Sequence, residues 1–181
     1  MPNNLFIRYD RLAKEAEIKR GSKEALEWFA DKVRKGRTVS LDKVSEGFKN
    51  KRLEVGNMIA YGYAPIGADR LPYYDRTPLV ILMDFTKDGW YGINLHYLPP
   101  RMRAALLVEI TYRKKPMQQI ARALESNPMT KPCLKRYIAK QLTQKPVTIP
   151  KSEWDIAIQL PFESFVKAAN KSVWQKSKSK I

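Results

Sequence analysis

The chain contains one histidine, His96, and one cysteine, Cys133, which limits the side chains available for nucleophilic or metal chemistry. Two such residues cannot form a zinc site of the usual His/Cys type, which needs three or four protein ligands. No local motif supports a Cys133–His96 nucleophile pair, since that pair requires the two side chains to lie within hydrogen-bonding distance. We therefore expect a structural hydrogen-bonding role for His96 and a buried, unreactive thiol at Cys133.

Metal-dependent nuclease chemistry would have to use carboxylates, because clustered acids hold the divalent ion near the scissile phosphate. The candidates are Asp69, Asp75, Asp84 and Asp88. Asp75 precedes a predicted strand and Asp88 follows it, so a rise of about 3.3 Å per residue places them at opposite ends. The glycines form no phosphate-cradling loop, which argues against a nucleoside triphosphatase. The sequence thus predicts no catalytic residue, no metal ligand and no cofactor, although a nuclease stays among the alternatives.

The distribution of charge indicates binding instead. The formal net charge is +16, above the roughly 2–8 units that suffice for the solubility of a small domain. Residues 1–60 carry a net +5, residues 61–110 are neutral, and residues 111–181 carry +11. Such an excess favours nucleic acid, an anionic surface or an acidic protein as the partner.

Basic residues alternate with aromatic ones in the second half of the chain. Cations neutralise phosphates and release counterions, and aromatic faces stack on unpaired bases at a nucleic-acid end. The pattern predicts a nucleic-acid-binding set made of Arg101, Arg103, Arg113, Lys114, Lys115, Lys131, Lys135, Arg136, Lys140, Lys171, Trp174, Lys176 and Lys178. Each aromatic could equally belong to the core, and the lysine-serine end could be a solvated terminus.

The first half of the chain reads as helices followed by a hairpin. Ser22 is a good N-cap for a helix to about residue 35, and a second helix is expected from Ser40. Residues 58–63 and 79–85 are apolar enough for strands. Residues 90–97 are expected to pair with the second strand, through a turn in which Asp88-Gly89 supplies the positive φ of a tight hairpin.

The second half is expected to be mostly helical. Pro100 suits the first turn of a helix to about residue 112, and residues 116–125 favour another. Leu134, Ile138 and Leu142 share one helical face, which predicts a helix from about residue 132. Residues 147–149 and 154–160 are typical of strands, and a last helix is predicted from residue 161.

These elements indicate an α+β fold with a small curved antiparallel sheet or SH3-like barrel, from about residues 55–98 and 147–160, flanked by helices. The expected organisation is an N-terminal helical arm (1–54), an α+β core (55–166) and a basic C-terminal tail (167–181). One cysteine excludes an intrachain disulfide and favours a reducing compartment. No signal-peptide-like start or membrane-spanning run is recognisable, so no membrane partner is expected.

Several segments, in order, resemble a family of virion proteins from T-even-type tailed phages, the DNA end protector or head-completion proteins. The segments are Glu27–Phe29, Leu71–Phe85, Asp88–Ala104, Lys131–Tyr137, Ser152–Ala157, Leu160–Ala168 and Lys171–Trp174. The resemblance implies a virion protein that is assembled in the host cytoplasm. It also implies binding to the ends of the packaged linear double-stranded DNA, protection of those ends from host exonuclease, and contact with other virion proteins of the head–tail region.

Three functions therefore remain open at the level of sequence. The first is a DNA-end-binding structural protein of the virion. The second is a non-enzymatic tail or baseplate hub assembly protein, whose basic surface meets acidic protein partners. The third is a nuclease that depends on magnesium or manganese. The sequence leaves the oligomeric state undetermined.

Overall fold

A computed structural model describes residues 4–176, and its main layer is an antiparallel sheet of five strands. In chain order the strands are β1 (Met58–Tyr63), β2 (Tyr74–Asp75), β3 (Leu79–Thr86), β4 (Gly89–Asn94), β5 (Leu134–Ile138), β6 (Leu142–Ile149) and β7 (Phe165–Val166). The five-stranded sheet has the order β5-β4-β3-β1-β6, while β2 and β7 pair separately. The helices are α1 (Leu5–Glu15), α2 (Lys23–Lys32), α3 (Leu41–Ser45), α4 (Pro100–Thr111), α5 (Met117–Ser126), α6 (Trp154–Ala157) and α7 (Asn170–Lys176).

The sheet is strongly curled, as its connectivity requires. β5 and β6 lie at opposite edges, yet only a 3-10 turn, Ala139–Gln141, joins them. Four strand spacings of about 4.8 Å make a flat sheet about 19 Å wide, whereas four Cα–Cα steps of 3.8 Å reach only about 15 Å. The edge strand β5 approaches β1 across the curl at this end, where the backbone N–H of Ile138 donates to the Tyr63 hydroxyl at 3.2 Å. β5 and β6 do not pair, so the α+β class with a curved sheet is confirmed but the sheet does not close into a barrel.

The two faces of the sheet bury different cores. The outer face contributes Met58, Ala60, Ile81 and Ile93 to a large apolar cluster with the helices, which extends from Phe6 to Val173. The inner, concave face holds a second cluster rich in aromatics: Ile59, Tyr61, Tyr63, Val80, Leu82, Trp90 and Tyr137. Tyrosine hydroxyls and the indole N–H satisfy each other there, since Trp90 Nε1 donates to the Tyr61 hydroxyl at 3.2 Å.

The predicted hairpin of residues 79–97 is present, with a correction at each end of its second strand. The two-residue turn is Lys87-Asp88, and neither Asp88 nor Gly89 has a positive φ, so the expected left-handed turn geometry is wrong. Gly89 is needed for another reason: a Cβ there would collide with the main-chain carbonyl of Tyr137 on the neighbouring strand. After Asn94 the chain forms a 3-10 turn, Leu95–Tyr97, instead of more strand.

The helix predicted from residue 132 is wrong. The chain there forms a 3-10 turn (Lys131–Cys133), then β5, a second 3-10 turn and β6. The apolar spacing of Leu134 and Ile138 fits helical periodicity, but it fits alternation in a strand equally well. Lys135 and Tyr137 occupy the opposite face of the same strand, and the cations Lys135 and Arg136 therefore lie on a strand of the sheet and not on a helix.

Two further predictions near the C-terminus are also wrong. Residues 154–160 are not a strand but α6 and the turn that follows it, and they are buried on every side. The polar residues Asp155 and Gln159 give the segment an apparent alternation, but both are buried and so mark no solvent-exposed face. The helix predicted from residue 161 is extended chain leading to β7, and the last helix of the described chain is α7. The N-caps Ser22 and Ser40 and the helix from Pro100 agree with prediction.

Candidate nucleic-acid interface

An open cleft of about 800 Å³ lies at the turn end of the β3–β4 hairpin. We call it the hairpin-end cleft, lined by Leu53, Phe85, Lys87, Asp88, Gly89, Trp90, Arg136, Ala139 and Lys140. Sheet pairing brings these separate segments together, because Gly89 faces Ile138 across β4 and β5. The cleft thus combines two predicted cations, Arg136 and Lys140, with a third cation on the turn.

The cleft carries an excess of positive charge. Its one acid, Asp88, accepts two hydrogen bonds from Arg136 Nη2 at 2.8 and 3.0 Å. The hydrogen bond from Arg136 lowers the pKa of the exposed Asp88 carboxyl. Lys87 and Lys140 are exposed, and neither makes an ion pair within residues 4–176. These two ammonium groups therefore remain available to an anion from outside the chain.

A second basic segment joins the rim of the cleft. Lys49, Lys51 and Arg52 are exposed and directly precede Leu53, a lining residue. Two backbone hydrogen bonds hold the chain after Leu53 beside β3, because Leu82 accepts from the N–H of Gly56 at 2.7 Å and donates to Asn57 at 2.9 Å. The sequence prediction missed this segment and Lys87, although the dense run of cations from residue 49 to 52 was a usable signal.

Two large aromatic side chains are exposed on the hairpin. Phe85 lines the cleft with 48% of its surface exposed, and Tyr91 is 49% exposed. Tyr91 follows Trp90 along β4 and therefore projects from the opposite face of the strand. An exposed phenyl ring beside unpaired ammonium groups combines a stacking surface with phosphate-neutralising charge, which is the pattern of nucleic-acid binding.

A smaller cavity of about 170 Å³ opens on the concave face of the sheet. We call it the tyrosine pocket, lined by Tyr63, Pro65, Leu71, Tyr73, Tyr74, Asp75, Asn94, Tyr97, Lys135, Arg136 and Tyr137. Lys135 Nζ lies 4.2 Å from the centre of the Tyr97 ring, a cation–π contact. Burial lowers the pKa of Lys135, since the surrounding rings replace water.

Buried hydrogen bonds form the floor of the tyrosine pocket. Asp75 Oδ2 lies 2.7 Å from His96 Nδ1 and accepts from Asn94 Nδ2 at 3.2 Å. Its other oxygen accepts from the backbone N–H groups of Thr77 and Ser164. Burial would raise the pKa of Asp75, but the charge and hydrogen bond of His96, with the hydrogen bonds from the Thr77 backbone and the Asn94 side chain, lower it. His96 thus has the structural hydrogen-bonding role that the sequence indicated.

Arg103 lies in the interior, away from any surface that DNA could reach. Its side chain is fully buried, and its Nη2 lies 2.6 Å from Glu163 Oε1, which Arg34 also contacts at 2.6 Å. Burial would raise the pKa of Glu163, but the charges of Arg103, His96 and Arg34 together with a backbone hydrogen bond outweigh it and lower the pKa to about 2. Trp174 closes this buried ion network, because its ring lies 5.5 Å from the Arg103 guanidinium and its Nε1 donates to the carbonyl of His96 at 2.8 Å.

The remaining predicted contacts are spread over other elements. Arg101, Lys131 and Lys171 are exposed without an ion pair in the described part of the chain. Arg113 and Lys115 both pair with Glu109, which neutralises part of their charge. Lys114 lines a separate pocket beside Lys151. Lys176 ends α7, and Lys178 lies outside the described residues. The structure therefore groups Lys135, Arg136 and Lys140 and leaves the other members of the set apart.

Three further features of residues 4–176 concern metal binding, the cysteine thiol and membrane spanning. No group of three or more His, Cys, Asp or Glu side chains within residues 4–176 could hold a metal ion. Burial raises the pKa of the Cys133 thiol to about 12, so it stays protonated at neutral pH. None of the helices over the same range is both long and apolar enough to cross a membrane.

One protein-family model matches residues 7–180, and its description is the phage T4 terminal DNA protecting protein. No curated protein sequence and no solved structure matches the chain significantly. The family match includes both the hairpin-end cleft and the tyrosine pocket. Since it extends over nearly all of the sequence, the chain belongs to the family of the phage T4 terminal DNA protecting protein.

Proposed function

We propose that this protein protects the ends of linear double-stranded phage DNA by covering them with the hairpin-end cleft. One observation carries the choice of surface: Lys87 and Lys140 face an open cleft without acidic partners in the described chain, beside the exposed ring of Phe85. The family description supports the protective role itself.

The chemistry of the cleft suits a duplex end better than the middle of a duplex. Lysine and arginine contacts to phosphates release counterions at any position along DNA. An aromatic ring, in contrast, can stack only on a base that has an open face, and duplex DNA offers such a face at its terminus. The cleft presents both groups, so phosphate contacts supply affinity and Phe85 supplies the preference for ends.

Protection of this kind needs no catalysis. An exonuclease must engage the terminus, and a protein bound there excludes it by occupancy. We therefore propose a non-enzymatic role in the virion, with assembly in the host cytoplasm and contacts to other virion proteins of the head–tail region. A tail or baseplate hub role is not favoured, because the family description names the protection of terminal DNA.

The test compares linear and circular duplexes of equal length and sequence over a salt series, followed by exonuclease digestion of the linear form. The purified protein should bind the linear form more tightly, with affinity falling steeply as salt rises. It should also delay digestion. Replacing Lys87 and Lys140 together by glutamine should reduce both effects.

The matched control replaces Lys19 and Lys23 by glutamine, since both are exposed, lack ion pairs in the described chain and lie outside the cleft. The control changes net charge equally and should retain protection. Equal losses in the two double variants would assign DNA binding to overall charge and remove the cleft from the proposal. Equal binding of linear and circular DNA, with no delay of digestion, would remove the protective function.

A further inference from the structure

The tyrosine pocket and the hairpin-end cleft share one wall. Arg136 lines both cavities, and Lys135 precedes it on β5 and projects into the pocket. We infer that the tyrosine pocket binds the terminal phosphate group of one DNA strand, with Lys135 as the cation that contacts it. This inference rests on the proposed function, because it names the part of the DNA end that enters the protein.

Lys135 is a largely buried cation without an anionic partner. No carboxylate of the described chain lies within ion-pair distance of its ammonium group, which contacts the face of the Tyr97 ring instead. Burying a charge is costly unless it is paired, and a ring face compensates for only part of that cost. An entering phosphate would supply the missing counter-charge, so this site gains more from an anion than an exposed lysine does.

The size of the pocket selects a small group. Its volume of about 170 Å³ is below the roughly 300–1,000 Å³ of sites for drug-sized ligands. It therefore suits a phosphate with part of its sugar and excludes a base pair. Tyr74 is half-buried in the wall, and its hydroxyl makes no hydrogen bond within residues 4–176. That hydroxyl can donate to a phosphate oxygen.

Asp75 is the one acidic group that lines the pocket, and its charge is already engaged. Its two oxygens accept from Thr77, Ser164 and Asn94, and Oδ2 also contacts His96. Of the two cations that line the pocket, Arg136 pairs with Asp88 and Lys135 has no carboxylate partner in the described chain. A phosphate at Lys135 would therefore meet an unpaired ammonium group, while the charge of Asp75 is engaged by its own donors.

The experiment measures binding of one blunt duplex in three forms: with 5′-phosphates, with 3′-phosphates and with hydroxyl groups at all termini. The wild-type protein should bind one phosphorylated form roughly tenfold more tightly than the hydroxyl form, as expected for a hydrogen bond to a charged group. Lys135→Gln should remove that preference and retain the affinity for the hydroxyl form. Lys145→Gln, an exposed lysine on β6 without an ion pair in the described chain, is the matched control and should keep the preference.

A second measurement separates the pocket from end protection. Calorimetry compares a single-stranded dinucleotide with and without a terminal phosphate, so that the difference in binding reports on the terminal phosphate without a duplex end. Phosphate-dependent binding that Lys135→Gln abolishes supports the pocket, even where duplex ends are left unprotected. Equal affinities for phosphorylated and hydroxyl ends, together with no dinucleotide binding, would overturn the inference while leaving end protection standing. Circular dichroism should show both variants folded, because neither lysine forms an ion pair in the described residues.

Discussion

Arg20, Arg34 and Arg103 are paired with carboxylates of the chain, whereas the lysines of the hairpin-end cleft are not paired within residues 4–176. Glu163 lies 2.6 Å from both Arg34 and Arg103. Arg20 contacts Asp10 and Asp155, each at 2.8 Å, and Glu153 at 3.1 Å. At the cleft, Lys87, Lys140 and the basic segment of residues 49–52 have no such partners in the described chain.

This contrast shows how the net charge of +16 is distributed. Several of the few carboxylates are used inside the protein to pair arginines that hold distant segments together. Lys87, Lys140 and the basic segment of residues 49–52 are left without a carboxylate partner in the described chain, so an external polyanion can neutralise them. A total charge alone would not have distinguished these structural cations from the cations available for binding.

The largest effect is expected from breaking the buried ion network. Glu163→Gln leaves Arg103 buried without its counter-charge, so the free energy of unfolding should fall by about 3–5 kcal/mol. Denaturant unfolding measures this change. Glu46→Gln, which removes a partly exposed partner of Lys43, is the control and should cost at most about 1 kcal/mol. An unchanged unfolding midpoint for Glu163→Gln would contradict a structural role for the network.

The next effect concerns the cations of the cleft. Replacing Lys51, Arg52, Lys87 and Lys140 by glutamine should weaken binding to linear duplex by about 2–4 kcal/mol, at about 0.5–1 kcal/mol for each exposed charge. The slope of log affinity against log salt should become shallower by up to about 3.6, or about 0.9 for each lost phosphate contact. Titrations at several salt concentrations measure both quantities. A variant that loses stability instead of affinity would erase the distinction between the two groups of cations.

A smaller effect should distinguish the aromatic side of the cleft from its charge. Phe85→Ala should weaken binding to duplex ends by about 1–2 kcal/mol through lost stacking, without changing the salt dependence. Tyr91→Ala is the control, because Tyr91 is equally exposed on the other face of β4. Competition between linear and circular DNA measures the preference for ends. A larger loss of end binding for Tyr91→Ala would place the stacking surface on the face of β4 opposite to Phe85 and would contradict the proposal.

The smallest effect is the pH dependence of the stability that Glu163 contributes, which we expect to be absent above about pH 5. The pKa of Glu163 is lowered from its ordinary 4.5 to about 2 in the folded protein. A lowered carboxyl pKa contributes stability that is fully present above the unfolded value and is lost as pH falls through the folded one. The stability difference between wild type and Glu163→Gln should therefore be constant from pH 5 to 8 and should narrow from about pH 4.5 to 2, as measured by denaturant unfolding. A difference that narrows near neutral pH would contradict this assignment.

The sequence was informative where local signals agreed with the tertiary environment. The hairpin of β3 and β4 and the N-caps Ser22 and Ser40 were predictable. In each case turn or capping residues lie at the end of an apolar segment that has the periodicity of a strand or of a helix. The segment from residue 131 to 142 was not predictable, since the spacing of Leu134 and Ile138 fits both the helical period and the alternation of a strand. Only the pairing of β5 with β4 decides between them, and that contact is distant in sequence.

The chemistry of the candidate site was predictable from the sequence, but the residues that form the site were not. Charge and aromatic content indicated a polyanion partner, and Arg136 and Lys140 were included. Arg103 could not be recognised as interior, because its partner Glu163 is 60 residues away in the sequence. Lys87 lies in the neutral middle of the chain and joins the site only because the hairpin turn meets the end of β5.

Gly89 is a position at which this protein cannot accept another residue without a shift of the neighbouring strand. It has no side chain with which to bind DNA, yet even a methyl group there would press on the carbonyl of Tyr137 and displace β5, together with Lys135 and Arg136. Among natural variants, lysine and arginine should exchange readily at the rim of the cleft, whereas residue 89 should stay glycine. The most constrained position near the site would then be one that has no side chain at all.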